Sequence, residues 1–203
     1  FINRANDGTL STSGSFVSTP LFNLSEFNTS GIDLKFTYLL NTSFGDLFFN
    51  NFTNILLNKD FKQDISSDQI NCKSLYRLGE EDGLCYQPSP KIQNVFNLSL
   101  AKRIFNNPSQ LGLTYRYIDN VDDSQKIGTA LNIPFDSYSY FDLNFVTNLD
   151  KDLDILFGIN NIFDEDPPVN GYIGYVPGNA NTFPAFYDAL GRFIYFKISK
   201  ELN

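Results

Sequence analysis

Apolar and polar residues alternate with a period of two through several stretches of this chain, the pattern of a strand whose two faces meet different surroundings. Ile32, Leu34, Phe36, Tyr38 and Leu40 share one parity, with Asp33, Lys35 and Thr37 on the other. Phe96, Leu98 and Leu100 oppose Asn97, Ser99 and Ala101, and Leu111, Leu113, Tyr115 and Tyr117 oppose Gly112, Thr114 and Arg116. Phe141, Leu143 and Phe145 oppose Asp142, Asn144 and, less cleanly, Val146. Leu153, Ile155, Phe157 and Ile159 oppose Asp154, Gly158 and Asn160, and a last strand sets Ile194, Phe196, Ile198 and Leu202 against Tyr195, Lys197, Ser199 and Glu201. Leu47 to Leu57 is also strand-like, but Phe48, Phe49 and Phe52 put rings on both parities, so the pattern does not assign its faces.

The connections alternate in length. Asn41 to Gly45, Arg103 to Ser109 (with Asn106, Asn107 and Pro108 as turn residues) and Leu149 to Lys151 are short. Lys59 to Pro90, Asn120 to Ser137 and Asn161 to Leu190 are long. Short turns on one side and long loops on the other are the mark of an outer-membrane barrel, whereas a soluble sandwich has no reason to segregate its loops. Alternation alone does not choose between the two. Paired rings at strand ends, Tyr115 with Tyr117 and Tyr138 with Tyr140, lean toward a membrane interface.

Composition agrees with this direction. The chain of 203 residues holds 21 Phe and 11 Tyr but no Trp, with Asn frequent between the rings. No stretch approaches the roughly 18 uninterrupted apolar residues of a membrane helix, and no basic-apolar leader is visible. The chain opens at Phe1 without any methionine, which suggests a piece of a longer product. A net charge of −8 argues against a nucleic-acid partner, since phosphate binding draws on clustered Lys and Arg. Cys72 and Cys85 lie close together in a turn-rich, charged stretch. Without histidine or further cysteines they read as a disulfide in an oxidising compartment rather than as a zinc site.

The C-terminal segment carries a family resemblance. Gly158-Ile159-Asn160-Asn161-Ile162-Phe163-Asp164, the pair Pro167-Pro168, Asn181-Thr182-Phe183-Pro184 and Tyr187-Asp188-Ala189-Leu190-Gly191-Arg192-Phe193 follow one another in order. Together they resemble the closing segment of TonB-dependent outer-membrane receptors. Asn28-Thr29-Ser30-Gly31-Ile32-Asp33 looks like the family's start of a long descending strand, and Pro90-Lys91 with Asn94 like the start of another, so the likeness covers about residues 28 to 202. Each motif also has a structural reading: Gly31 and Gly191 for close approach or a bulge, Pro167 and Pro168 to end a strand, Asn160 and Asn161 to cap a turn. The terminus departs from the family, which usually ends on an aromatic residue; here Leu202 takes that parity and Asn203 follows. Lys200 falls on the presumed lipid face, tolerable only near the interface.

The resemblance implies an all-β fold, the C-terminal strands of an antiparallel transmembrane barrel of about 22 strands, with short periplasmic turns and long extracellular loops. Seven complete strands and a stub near Phe1 to Arg4 are expected, with the plug domain absent. It implies uptake of a scarce nutrient (an iron-siderophore, cobalamin or an oligosaccharide), with outer-membrane lipid, a TonB-type energising protein and a small ligand as partners. The rivals are a passive porin or small barrel, a soluble all-β carbohydrate-binding module and, more distantly, an outer-membrane hydrolase.

Enzymatic signals are poor. No histidine is present to pair with Ser or Cys, and no phosphate loop or metal-ligand spacing appears, so neither catalysis nor a cofactor or metal is expected. The carboxylate groups Glu80-Glu81-Asp82, Asp122-Asp123 and Asp164-Glu165-Asp166 read as solvated loop surface. Ligand contacts would come from the long loops and upper lumen. The candidates are Arg77, Tyr86, Arg116, Tyr172 and Tyr175, which offer charge-assisted hydrogen bonds or stacking; loop packing is the plainer reading of each.

Overall fold

The computed structural model describes residues 2–11, 13–17, 26–62, 68–76, 86–124, 133–150, 153–169 and 181–200. All regular structure among them is strand: β1 (Ile2–Asn3), β2 (Phe16–Val17), β3 (Glu26–Thr42), β4 (Gly45–Lys62), β5 (Ile70–Asn71), β6 (Leu75–Tyr76), β7 (Ile92–Ile104), β8 (Asn107–Ile118), β9 (Asp122–Asp123), β10 (Tyr138–Asp150), β11 (Leu153–Asn160) and β12 (Phe193–Lys200). The long strands form one antiparallel meander, β3-β4-β7-β8-β10-β11-β12, with β5 added beside the far end of β4. Among the described residues β3 and β12 are open edges, and no closed barrel is present. The expected stub is also not a member of this sheet, since β1 pairs with β2 in a separate two-stranded sheet.

Register turns the alternation of single strands into faces. Leu40, Leu47, Leu100, Leu111, Phe145, Phe157 and Phe196 line up across the sheet as one row. Tyr38, Phe49, Leu98, Leu113, Leu143, Ile159 and Ile194 form the next row on the same face. The opposite face carries Thr37, Asn50, Asn97, Thr114 and Asp142 in a row of its own. The undecided strand is thereby resolved: Leu47, Phe49 and Ile55 join the apolar face, and Phe48 and Phe52 join the polar one.

The apolar face is uncovered. Ile32, Leu34, Phe36, Tyr38, Leu111, Ile194, Phe196 and Ile198 are all exposed. Its belt also runs obliquely to the hydrogen-bonded rows. Toward the long-loop end it continues through Ile32, Ile55 and Ile92 on β3, β4 and β7, where β8 and β10 carry Tyr117 and Ser139 one row away. Toward the short-turn end it continues through Ile155 and Ile198 on β11 and β12, in line with Thr147 and Ser109 on β10 and β8. The polar groups that interrupt the belt satisfy one another. Asn94 donates to Asn51 Oδ1 at 2.8 Å and to Thr53 Oγ1 at 2.6 Å, and the Ser109 and Thr147 hydroxyls pair at 2.8 Å.

The three long connections, 63–91, 119–137 and 161–192, all leave one end of the meander. At the other end the turns are tight. Phe105 and Asn106 make the β7–β8 turn alone, both at positive φ (47° and 68°), as a two-residue hairpin matched to strand twist demands. The turn is therefore narrower than expected, and Asn107 and Pro108 belong to β8. Gly31 sits where the β3–β4 register shifts, and a Cβ there would lie 2.9 Å from the Ile55 carbonyl oxygen. The molecule's compact core lies at the long-loop end, where the ends of β8 and β10 meet the loops: Tyr76, Tyr86, Ile118, Val121, Phe135, Tyr140, Phe183 and Tyr187 are buried together.

Candidate functional site

Short loop segments bury little aliphatic surface, and this chain compensates with rings. Tyr76 stacks on Phe135 at 4.5 Å between centroids, and Phe183 meets Tyr76, Tyr86 and Phe135 edge-on at 5.8, 5.9 and 6.2 Å. The backbone ties the same segments together. β6 pairs parallel with β9, Ser74 N donates to the Ser89 carbonyl, Asp122 N donates to the Ser74 carbonyl, and Val121 exchanges bonds with Phe135. The three long connections thus share one core. Asp123, read from sequence as solvated, is fully buried in it because β9 pairs inside the loop layer rather than on its surface. Tyr187 is fully buried too, and burial pushes its hydroxyl well above the ordinary phenolic range.

Arg116 joins this layer to the polar face of the sheet. Its Nε donates to Asp142 Oδ2 at 2.9 Å and its Nη2 to Asp142 Oδ1 at 3.1 Å, a fork on the neighbouring strand β10. Nη1 donates to Asp188 Oδ1 at 3.0 Å and Nη2 also reaches Asp188 Oδ2, a second fork on the returning loop. The guanidinium carbon stands 4.9 Å from the centre of the Tyr140 ring, whose hydroxyl accepts from Asp188 N at 3.4 Å. Planar, permanently charged arginine suits two carboxylates where lysine would serve one at a time. Arg116, a ligand-binding candidate from its polar-face parity, has its donors there committed to two aspartates.

The motif residues converge on the same corner. Asn161, left-handed at φ 52° and fully buried, accepts from Glu165 N and donates to the Glu165 carbonyl, both at 2.9 Å, while its own N donates to Asp142 Oδ1 at 2.8 Å. Asp164, also left-handed, accepts from Arg192 N at 2.7 Å and pairs with the Arg192 guanidinium at 3.3 Å. Gly191 has φ +66°, and a Cβ there would stand 2.9 Å from Asp164 Oδ1. Phe163 turns outward and meets Phe141 of the apolar face edge-on at 5.4 Å. Pro168 is buried and Pro167 half-buried in the run that leaves this turn. Asp164 is therefore a structural tie rather than part of a free acidic patch, and no group of metal-ligating side chains occurs among the described residues.

A cavity of about 400 Å³ opens beside the Arg116 clamp, between the 184–191 loop and the polar-face residues Asn160 and Phe193. Of the other candidates, Tyr86 is buried in the loop core with its ring against Phe183. Arg77, Tyr172, Tyr175 and Cys85 lie outside the described residues. Cys72, the proposed partner of Cys85, is fully buried, and its N donates to the Lys59 carbonyl at 2.7 Å.

The residues that sequence reasoning missed are Asp142, Asp188 and Phe193. Asp142 shares the parity of Arg116, a signal present in the pattern, but only register makes them neighbours. Asp188 and Phe193 come from the returning loop and the strand that follows it, whose placement no local pattern encodes. No protein-family model, no curated protein and no solved structure matches this chain.

Proposed function

We propose that this chain is the C-terminal part of the β-barrel of an outer-membrane receptor of the TonB-dependent kind, which takes up a scarce nutrient such as an iron-siderophore, cobalamin or an oligosaccharide. One observation carries the reading: a meander of seven long strands leaves an uncovered aromatic and aliphatic belt, broken by a few mutually hydrogen-bonded polar groups and oblique to the strands, with the three long connections at one end. A belt that stays level around inclined strands must cut across their hydrogen-bonded rows, as lipid facing requires and as a sandwich core does not. In this reading the long loops face outward, the short turns face the periplasm, and the polar face lines the lumen. The open edges β3 and β12 are completed by further strands, and a TonB-type partner supplies the energy through a plug elsewhere in the receptor. Phe44 and Phe105, both exposed at the tight turns, stand where rings gather at the inner interface.

The test is fractionation of cells producing the full-length protein, followed by nutrient uptake with and without the energising partner. Recovery in the outer membrane and uptake that stops without the partner are expected. Partner-independent entry would indicate a passive porin, and recovery as a soluble periplasmic protein would sink the barrel reading.

A further inference from the structure

We propose that the cavity beside the Arg116 clamp is a binding site for a neutral, polyhydroxylated ligand of the size of one or two sugar units, which rests on the receptor reading and narrows its cargo. The charge around the cavity is the first reason. One guanidinium is shared by two carboxylates, Asp142 and Asp188, each held by a fork, so no donor cation is left over for an anionic ligand. The remaining sum of the three groups is one negative charge, which disfavours carboxylate or phosphate guests.

The rings are the second reason. Phe193 borders the cavity, is half exposed, and stacks with Tyr195 at 6.1 Å and 21° between planes. Both residues lie on the polar face of β12, where the exposed ring of Phe193 has no lipid to meet. Tyr195 is held flat there because Gly158 beneath it has no side chain, and a Cβ at that position would run into the ring. A sugar presents just this requirement: a C–H face to lay on an aromatic plane and hydroxyls around its edge for planar polar groups.

The third reason is the polar rim. Asn160 borders the cavity, and its carboxamide makes no hydrogen bond among the described residues, leaving both a donor and an acceptor for hydroxyls. Asp188 carboxylate oxygens accept from Arg116 and keep lone pairs for a further donor. A volume near 400 Å³ suits such a guest and falls within the usual span of ligand pockets.

The experiment is calorimetric titration of the full-length protein in detergent with glucose and maltose, and in parallel with citrate and spermidine. Saturable binding of a neutral sugar is expected, without binding of citrate. Phe193→Leu, which keeps apolar bulk and removes the ring, should weaken it about tenfold, and Asn160→Ser should weaken it by a similar factor. A heat-modifiable band on a cold gel for each variant shows that the barrel is intact, so a failure of the sugar site is distinguishable from a failure of the barrel. An intact barrel that binds neither sugar, that prefers citrate or spermidine, or whose sugar binding ignores both substitutions would overturn the proposal.

Discussion

At the scale of single residues, Arg116 is the most connected side chain of the candidate site, and its loss has a defined consequence. Arg116→Ala leaves Asp142 and Asp188 facing each other without a cation. With the three side chains between 16% and 28% exposed, the cost is about 1–3 kcal/mol after allowing for solvent screening. Arg116→Lys keeps the charge but not the two forks and should recover only part of that. Faster amide exchange across residues 183–190 in both variants, with the strands unchanged, is the expected reading; uniform loosening of the sheet would count against a local clamp. Cys72 supports a second prediction at this scale. Its complete burial at the base of the 63–91 connection suits a half-cystine joined to Cys85, a link of about 3 kcal/mol in the chain-entropy picture. Thiol titration of the unreduced, unfolded protein should find none; two reactive thiols would contradict the pairing.

At the scale of elements, the two faces of β8 should respond in opposite ways to the same charge. Leu113 lies in an all-apolar row and Thr114 in a polar one. Leu113→Arg should cost about 2–4 kcal/mol of folding in lipid and Thr114→Arg little, measured by denaturant titration in vesicles. Equal penalties would refute the facing. Glycines on the polar face separate in a similar way. At Gly158 a new Cβ meets the Tyr195 ring, which cannot yield without leaving the strand surface, whereas at Gly112 it meets the end of the Asn144 amide at 2.6 Å, which can rotate. Gly158→Ala should therefore destabilise by roughly 1–3 kcal/mol and Gly112→Ala by less, as thermal melts will show. The long strands were legible in the sequence because period two is written locally, residue against next residue. Phe48 and Phe52 were not, since rings on the polar side of β4 look like core until β3 and β7 fix the register. Asp188 was invisible for a related reason: its partner Arg116 is 72 residues away and joined only through the folded loop layer.

At the scale of the whole molecule, the open edges decide how these residues behave on their own. Among the described residues β3 and β12 each present an unpaired row of backbone groups beside exposed rings, and neither water nor hydrocarbon tolerates that combination. The 203-residue chain expressed alone should be insoluble without detergent and show no heat-modifiable compact band. A stable, heat-modifiable monomer in lipid would instead support a small self-closing barrel. The shared core of the long connections works in the other direction. Rings from 68–76, 133–137 and 181–188 interlock with the turn after β8, so these loops do not vary as independent cassettes, and exchanging one disturbs the seats of the others. An immune system meeting this surface would see a patchwork of distant segments. Antibodies raised against any one loop as a linear peptide would miss the native protein, and those raised against the folded protein would lose their epitope when any one of the three segments is replaced.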